Sequence, residues 1–437
     1  MSQSLGFVEE KKLQTPVVGS FDVMVAGGGP AGIAAALSAA RAGAKTALVE
    51  MHGQLGGVWT SGALSWVIDV KGKGGIMSEL IRRLDEKGAR EGTGEGDFAY
   101  DVEIMKLVLE EMVSEAGIEV RLHTRIVSVV KDKKNGKAIS HLITESKSGR
   151  ESWAAKLFVD ATGDGDLAAL AGCGFDLGRP ENGECQPMSL MAILTGIRGA
   201  EVEAFLANGT RSAGNPKFLL RDVMKLGGHS PSYASPTLFR IHEDLFALMA
   251  NHEYGVSALD AGAITQATMR ARKEIHQAVE ALGKIGGAWK NLRVVATGSQ
   301  IGVREGRRIH GRYTVSVDDL LNGTRHEDAA CEATFSIDVH STNPKMSRDF
   351  SPENRAVKAY DIPLRALIAR DAENLFLAGR CISGDFLAHS SYRVTGNAVA
   401  LGEAAGLAAA ECAAKNIGTG ALDGKQISKR LREIRKG

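Results

Sequence analysis

Apolar and polar positions along the chain fall into short blocks separated by glycine. Val23-Met24-Val25-Ala26 is an uninterrupted apolar block and predicts a buried parallel strand. The small-residue stretch Ile33–Ala42 predicts a helix, and Lys45–Val49 a second strand ending on Glu50. Ile76, Leu80, Ile81 and Leu84 recur at helical spacing after Gly74-Gly75, and predict a helix through Lys87. Ile104, Leu107, Val108 and Met112 do the same for Val102–Ala116, and Ile118–Leu122 follows as a strand. Arg125–Val130, Ala138–Thr144 and Glu151–Ala154 alternate like three short antiparallel strands, with turns at Asn135-Gly136 and Ser148-Gly149. Lys156–Val159 reads as a separate buried strand that enters the glycine- and aspartate-rich run Asp160–Asp166.

From Gly174 the pattern loosens. Turn clusters at residues 178–183 and 227–236 flank sparse elements, of which the amphipathic helix Thr265–Leu282 is the clearest. Arg293–Ala296, Phe335–Val339 (ending at His340) and Leu375–Ala378 predict further strands. A small-residue helix from Asn397 to Ala414 precedes a basic tail whose charges form a solvated face. Residues 1–20 are polar and read as an arm or an edge strand.

The first strand, turn, helix and second strand carry Gly27, Gly29 and Gly32 in Gly-x-Gly-x-x-Gly spacing, with Glu50 18 residues past the last glycine. In that context the pattern predicts a dinucleotide site. Gly27 permits the tight turn, Gly29 lets the main chain approach a pyrophosphate, and Gly32 lets the helix pack closely on the sheet. The helix N-terminus aims its free N–H groups at the phosphates, and Glu50 is placed for a ribose hydroxyl. A second glycine-dense loop, Gly53–Gly62, follows at once, and a simple nicotinamide-binding unit has no need of it. Gly92-Thr93-Gly94 has no strand before it and is not read as a second fingerprint.

Composition narrows the field. With 437 residues, the chain is long enough for two domains. Lys and Arg number 53 against 52 Asp and Glu, so the charge balance points to neither nucleic acid nor an anionic membrane surface. Cys173, Cys185, Cys331, Cys381 and Cys412 form no Cys-x-x-Cys pair, which argues against a dithiol redox centre and against metal clusters. No signal-like start and no apolar run of membrane-spanning length is present, so the expected setting is cytoplasmic.

Four segments together resemble the FAD-dependent oxidoreductases with a glutathione-reductase-like flavin-binding fold, and a largely bacterial group within them. These are Asp22–Gly62, Leu157–Gly172 (LFVDATGDGDLAALAG), Gln300–Asp319 (QIGVREGRRIHGRYTVSVDD) and Tyr360–Gly406. The resemblance implies an α/β fold: a Rossmann-like FAD-binding domain with a three-stranded β-meander, interrupted by an α+β substrate or cap domain. Expected boundaries are 15–175 and 360–420 for the two parts of the flavin domain, 176–359 for the cap and 421–437 for the basic tail.

For the cofactor, the resemblance implies that Gly27, Gly29, Pro30, Ala31 and Gly32 hold the FAD pyrophosphate and Glu50 the adenosine ribose. Gly56 and Gly57 would lie along the phosphates and the flavin edge, Ile126 would touch the adenine, and Thr162-Gly163-Asp164 would close the adenosine side. Gly379 and Arg380 sit where related flavoproteins carry Gly-Asp near the ribityl chain. Thr395, Gly396, Asn397 and Ala398 would begin the closing helix beneath the pyrimidine ring, where free N–H groups stabilise the charge of reduced flavin.

Without a second fingerprint or a cysteine pair, hydride exchange between a small-molecule substrate and flavin N5 is the expected chemistry. His389 and Arg393, between the last strand and the closing helix, are expected to face the flavin as acid/base and anion anchor. Phe386 stands where many relatives carry a histidine. His340 and Arg304 form a second set. Arg304 and Arg307 share a face if their segment is helical, and Arg307 and Arg308 serve either the site or ion pairs to Glu305, Asp318 or Asp319. His340 is either a strand-end residue or the acid/base. Trp59 and Trp66 pack near the flavin ring or fill core. Competing readings are a flavin monooxygenase using NAD(P)H and oxygen, a plain NAD-dependent dehydrogenase, and a non-catalytic flavin-binding protein. The electron acceptor is open, and self-association is compatible with the sequence.

Overall fold

The computed structural model describes residues 8–9, 13–91, 94, 96–209, 214–343 and 353–436. Much of the N-terminal arm, Gly92-Thr93 and Gly437 lie outside the described residues.

The main sheet is built from β1 (Val17–Ala26), β2 (Thr46–Val49), β3 (Glu119–Arg121), β4 (Arg125–Lys131), β5 (Ile139–Ser146) and β6 (Gly149–Asp160). Their order is β3-β2-β1-β6-β5-β4. The first four run parallel, and β5 and β4 form the antiparallel meander. The third meander strand and the buried strand after it, read separately from the sequence, are one element. β6 pairs with β5 over Gly149–Ala154, then with the late strand Leu375–Leu377 over Phe158–Asp160, while β1 lies along its other edge. The sequence pattern breaks at Lys156 because its ammonium turns outward to Asp22 (2.8 Å).

One face of this sheet is covered by α1 (Pro30–Arg41) and the closing helix (Thr395–Lys415). Both are rich in alanine and glycine, and this allows unusually close approach. A β-carbon at Gly402 would lie 2.0 Å from Ala31 O, and one at Gly406 would lie 2.1 Å from Ala35 O. Those pairings advance together, so the helices run parallel and both N-termini point to the same end. Pro30 stands level with residue 401, so the closing helix projects about 9 Å further, at 1.5 Å per residue.

A second, antiparallel sheet contains Met191–Thr195, Thr237–His242, Leu245–Met249 and Arg293–Thr297, packed under a long helix, Ala261–Ile285. Leu194, Phe246, Leu248, Ile275 and Leu282 belong to its own core. The expected cap of 176–359 is larger than this unit: Ile309, Val315, Leu320, Ile337 and Val339 join the core of the main sheet. The turn-rich chain after residue 303 returns to the first core, where these apolar side chains are buried. Phe335–Val339 is also not a strand but an extended connection, and Arg304–Arg307 is not helical.

The basic tail is only partly a solvated face. Gly424–Ile434 is a helix that buries Ile427 and Leu431. Arg435 then donates to Glu403 Oε2 (2.7 Å) and to the carbonyls of Ala330 and Ala400 (2.8 Å each). Glu403 is buried and also accepts from Ile76 N–H at 3.0 Å. Arg435→Ala strands that carboxylate, and a loss of about 3 kcal/mol in urea unfolding is expected.

Candidate active site

Gly27 takes φ +96°, and β-carbons there and at Gly32 would fall 2.5 Å from Ala161 O and 1.8 Å from Gly27 O. Gly29 differs. A β-carbon there meets only Gly57 Cα, at 4.0 Å, so the main chain faces open space. Gly57 (φ +52°) approaches Gly29 from the other side, and Gly56 also has a positive φ (+107°). Glu50 is buried and accepts from Gly28 N–H (2.6 Å) and His52 N–H (2.8 Å). Thr124 N–H donates to Glu50 O, and Ile126 follows two residues after Thr124. Neither α1 nor the closing helix has a side-chain N-cap or an acidic residue in its first turn. The turn after the β-meander is braced by Asp160, which accepts from Thr162 (N–H 3.0 Å, Oγ1–H 2.7 Å) and from Ala168 N–H (2.8 Å). Burial pushes the Asp160 carboxyl up to about 6 against those bonds. Asp164 pairs with Arg380 (2.8 Å), tying this turn to Gly379, itself at φ +78°.

A model of the FAD dependent oxidoreductase family matches residues 22–431. The chain belongs to that family. It is an oxidoreductase whose cofactor is FAD. No curated protein matches it. Among solved structures it is similar to a geranylgeranyl bacteriochlorophyll reductase-like protein from Thermoplasma acidophilum. That match has 14% identity over 95% of this chain and 83% of the other, with a TM-score of 0.49. It is also similar to p-nitrophenol 4-monooxygenase from Pseudomonas putida, at 12% identity over 96% and 86% with a TM-score of 0.49.

The residues present suit FAD. Gly29 and Gly57 pass close to each other at the uncapped N-terminus of α1, which is suited to phosphates, and the uncapped N-terminus of the closing helix lies further along. Trp59 Nε1 and Thr395 Oγ1 are buried without a hydrogen-bond partner. Gly396 N–H instead donates to Ile68 O (3.0 Å). Asn397 is turned wholly into the core, where its Oδ1 accepts from Cys331 Sγ (3.6 Å), so its side chain braces the helix start. Ala398 is buried beside Gly379. Trp66 stacks on Phe239 of the second sheet (4.9 Å) and serves the junction between sheets. All five cysteines are free and buried, and burial pushes Cys173 up to about 12 and Cys185 up to about 11. Among the described residues no group of three His, Cys, Asp or Glu is placed to hold a metal, and no helix is long and apolar enough to cross a membrane.

The two sets of catalytic candidates separate. His389 has no exposed surface in this structure: its ring packs edge-on against Tyr392 (5.4 Å). Burial, then the charges of Arg393, Arg308 and Arg380, hold its pKa well below the ordinary value. The short helix Phe386–Tyr392 turns it into the core, where both ring nitrogens are buried without a hydrogen-bond partner and no surface is left exposed. Arg393, four residues on, leaves the helix and joins His340 and Arg304. Its Nη1 donates to Arg304 O (3.2 Å) and its Nη2 to Asp338 O (2.9 Å). His340 Nε2 lies 3.3 Å from Asp338 Oδ2, and its Nδ1 is buried with no partner. Arg304 Nη1 donates to Pro187 O (2.6 Å) and Ser189 Oγ (2.8 Å).

Asp338, His252, Tyr233 and Gln186 complete the cluster and were not singled out by sequence. The rings of Tyr233 and His252 are 4.1 Å apart and those of His252 and His340 are 5.1 Å apart. Gln186 Oε1 accepts from His340 N–H (3.0 Å). Asp338 had a signal: two residues from His340 in extended chain, it faces the same side. His252 had none, since the second sheet alone delivers it.

Arg308 and Glu305 form a fully buried pair (2.6 Å), with Arg308 also donating to the Gly178 and Gly384 carbonyls. Arg307 pairs with Asp166 (2.8 Å). The first pins the segment carrying Arg304, and the second ties it to the turn after β6.

Burial, then the nearby Arg304 charge, pushes His340 down from 6.5 to about 4, with Asp338 opposing. Burial alone would raise Asp338, yet the His340 hydrogen bond and the charges of His340, Arg393 and Arg304 outweigh it and hold this carboxyl low. Arg393 is pushed down to about 10, by burial first and partly by Arg304. The folded-state value of His340 lies below its unfolded one, so the unfolded chain takes up the proton first. Stability therefore falls as pH drops from 6.5 towards about 4. His340→Gln removes that titration, and urea unfolding across this window is expected to show a shallower loss than in the parent. Titrating groups that do not contact His340, Asp160 among them, cancel in the comparison, while Asp338 loses the His340 contribution that lowers it.

Proposed function

We propose that this oxidoreductase transfers a hydride between a small organic substrate and its flavin, with the substrate held at Arg304, Asp338, His340 and Arg393. Bound FAD supplies the two-electron acceptor or donor. The observation that carries the reading is the His340–Asp338 pair. Its geometry supports a neutral imidazole whose Nε2–H donates to the carboxylate, leaving Nδ1 as a buried lone pair without a partner. Such a nitrogen can accept a proton from a substrate hydroxyl or C–H, and the carboxylate stabilises the imidazolium that results. Arg393 holds the Asp338 segment through its main-chain carbonyl while keeping a positive charge beside the site. His389, enclosed in the core, is assigned no proton transfer.

The test is an anaerobic screen of candidate metabolites for bleaching of the flavin absorbance. Reduction by a small organic metabolite, and not by NADPH alone, is expected. Rapid bleaching by NADPH would replace this reading with that of a monooxygenase.

A further inference from the structure

We infer that the substrate is a small organic anion whose carboxylate is bound among Arg304, His252 and Gln186, an inference that rests on the function proposed above. The charge balance of the cluster is the first ground. Arg304 and Arg393 contribute two positive charges and Asp338 one negative charge, while Arg308 is matched by Glu305 and Arg380 by Asp164. Arg304 forms no ion pair with any described carboxylate, and its bonds go to a carbonyl and a hydroxyl. A buried excess of one positive charge is costly, and a monoanion removes it.

Unsatisfied polar atoms are the second ground. His252 Nε2, His340 Nδ1 and Gln186 Nε2 have no hydrogen-bond partner, and their residues are 5%, 6% and 1% exposed. Buried polar nitrogens are normally paired, so three in one cluster mark a place where a polar ligand belongs. The His252 Nδ1 lies 3.3 Å from the Tyr254 hydroxyl, which also donates to Ser232 O (3.4 Å), and Nε2 is the ring nitrogen with no partner. Amide, imidazole and guanidinium donors together match the acceptor-only oxygens of a carboxylate.

The third ground is access. A cleft of about 430 Å³ on the second sheet's side is lined by His229, Ser232, His252, Arg270 and Lys273. His252 belongs both to this cleft and to the ring cluster with His340, so it stands between the cleft and the buried nitrogens. Glu253 and Glu274 also line it, so the two acids balance Arg270 and Lys273, and Arg270 pairs with Glu253 (2.7 Å). Binding would also act on the chemistry. After burial, the Arg304 charge is the largest influence suppressing His340 basicity. A carboxylate seated on Arg304 offsets that charge, so the base gains strength when the anion is present.

The experiment titrates the flavin absorbance of the FAD-loaded protein with acetate, propionate and benzoate, and with the neutral amide of each. A saturable spectral change with an acid is expected, with its amide at least tenfold weaker. Arg304→Gln should weaken the acid at least tenfold at unchanged flavin content, and Arg304→Lys should recover part of the loss. Where the Gln variant does not retain flavin, Gln186→Ala combined with His252→Ala takes its place, with the same tenfold loss expected. Amides that match the acids, no binding by any acid, or full acid binding in these variants would overturn the inference. Acid-selective binding to a flavin that no metabolite reduces keeps the inference and removes the hydride reading. Reduction by a neutral metabolite with no preference for acids does the reverse.

Discussion

A Gly32→Ala protein is expected to leave purification with at least tenfold less flavin than the parent. The added carbon would sit 1.8 Å from Gly27 O and 3.2 Å from Ala161 Cβ. Gly27 has nowhere to retreat, because a β-carbon of its own would already touch the Ala161 carbonyl at 2.5 Å. The helix must therefore lift from the sheet, and overpacking of this kind costs about 1–3 kcal/mol. Its first-turn N–H groups, which the pyrophosphate needs, move with it. Gly29→Ala separates the two effects. Its β-carbon meets only Gly57 Cα at 4.0 Å, so the apoprotein should unfold at the parent's urea midpoint while the groove is narrowed and flavin binding weakened. The ratio of flavin to protein absorbance, read beside urea unfolding, checks both. Full flavin content in Gly32→Ala would show that the helix can shift without cost.

The second large effect is expected at His340. With the reducing substrate in hand, His340→Gln should slow anaerobic flavin reduction by about 10²–10⁴-fold, the usual contribution of a positioned acid/base. Flavin content should stay at the parent level, since no residue assigned to the cofactor groove bonds to the imidazole. Asp338→Asn should give a smaller loss and a changed pH profile, because the amide can no longer stabilise the imidazolium. His389→Ala is the comparison. It opens a core cavity beside Tyr392 and should lower stability, with the reduction rate per bound flavin close to that of the parent. Equal losses of rate per bound flavin in the His340 and His389 variants would remove the distinction drawn between them.

The nucleotide-binding half was legible because its constraints are local. A glycine that must turn at positive φ, a glycine that must admit a main chain, and an acid at the end of the next strand all leave marks at fixed spacing. Gly27, Gly32 and Glu50 carry them. The parallel packing of the two small-residue helices was legible only in part. Alanine content announces a close contact, but Gly402 over Ala31 is a register set in three dimensions. The reading of β6 as two strands failed for a physical reason: one outward Lys156 interrupts the apolar pattern while hydrogen bonding to β1 continues past it. Phe335–Val339 misled in the opposite way, since apolar residues in an extended connection look like a strand until no neighbour is found for them.

The site shows the same division more sharply. His389 and Arg393 are close in sequence, and a short helix points one into the core while the other leaves it. Arg304, Asp338, His340 and His252 come from three separate stretches of chain, and only the packing of the second sheet against the first brings them together. The sequence alone determined the fold class and the geometry of the glycine-rich turn after β1, because each depends on neighbours a few residues apart. Tertiary structure decided which histidine stands beside a carboxylate, which arginine lacks one and which residues join them in one cluster. Burial and charge balance depend on residues far apart in the chain, and no local pattern encodes them.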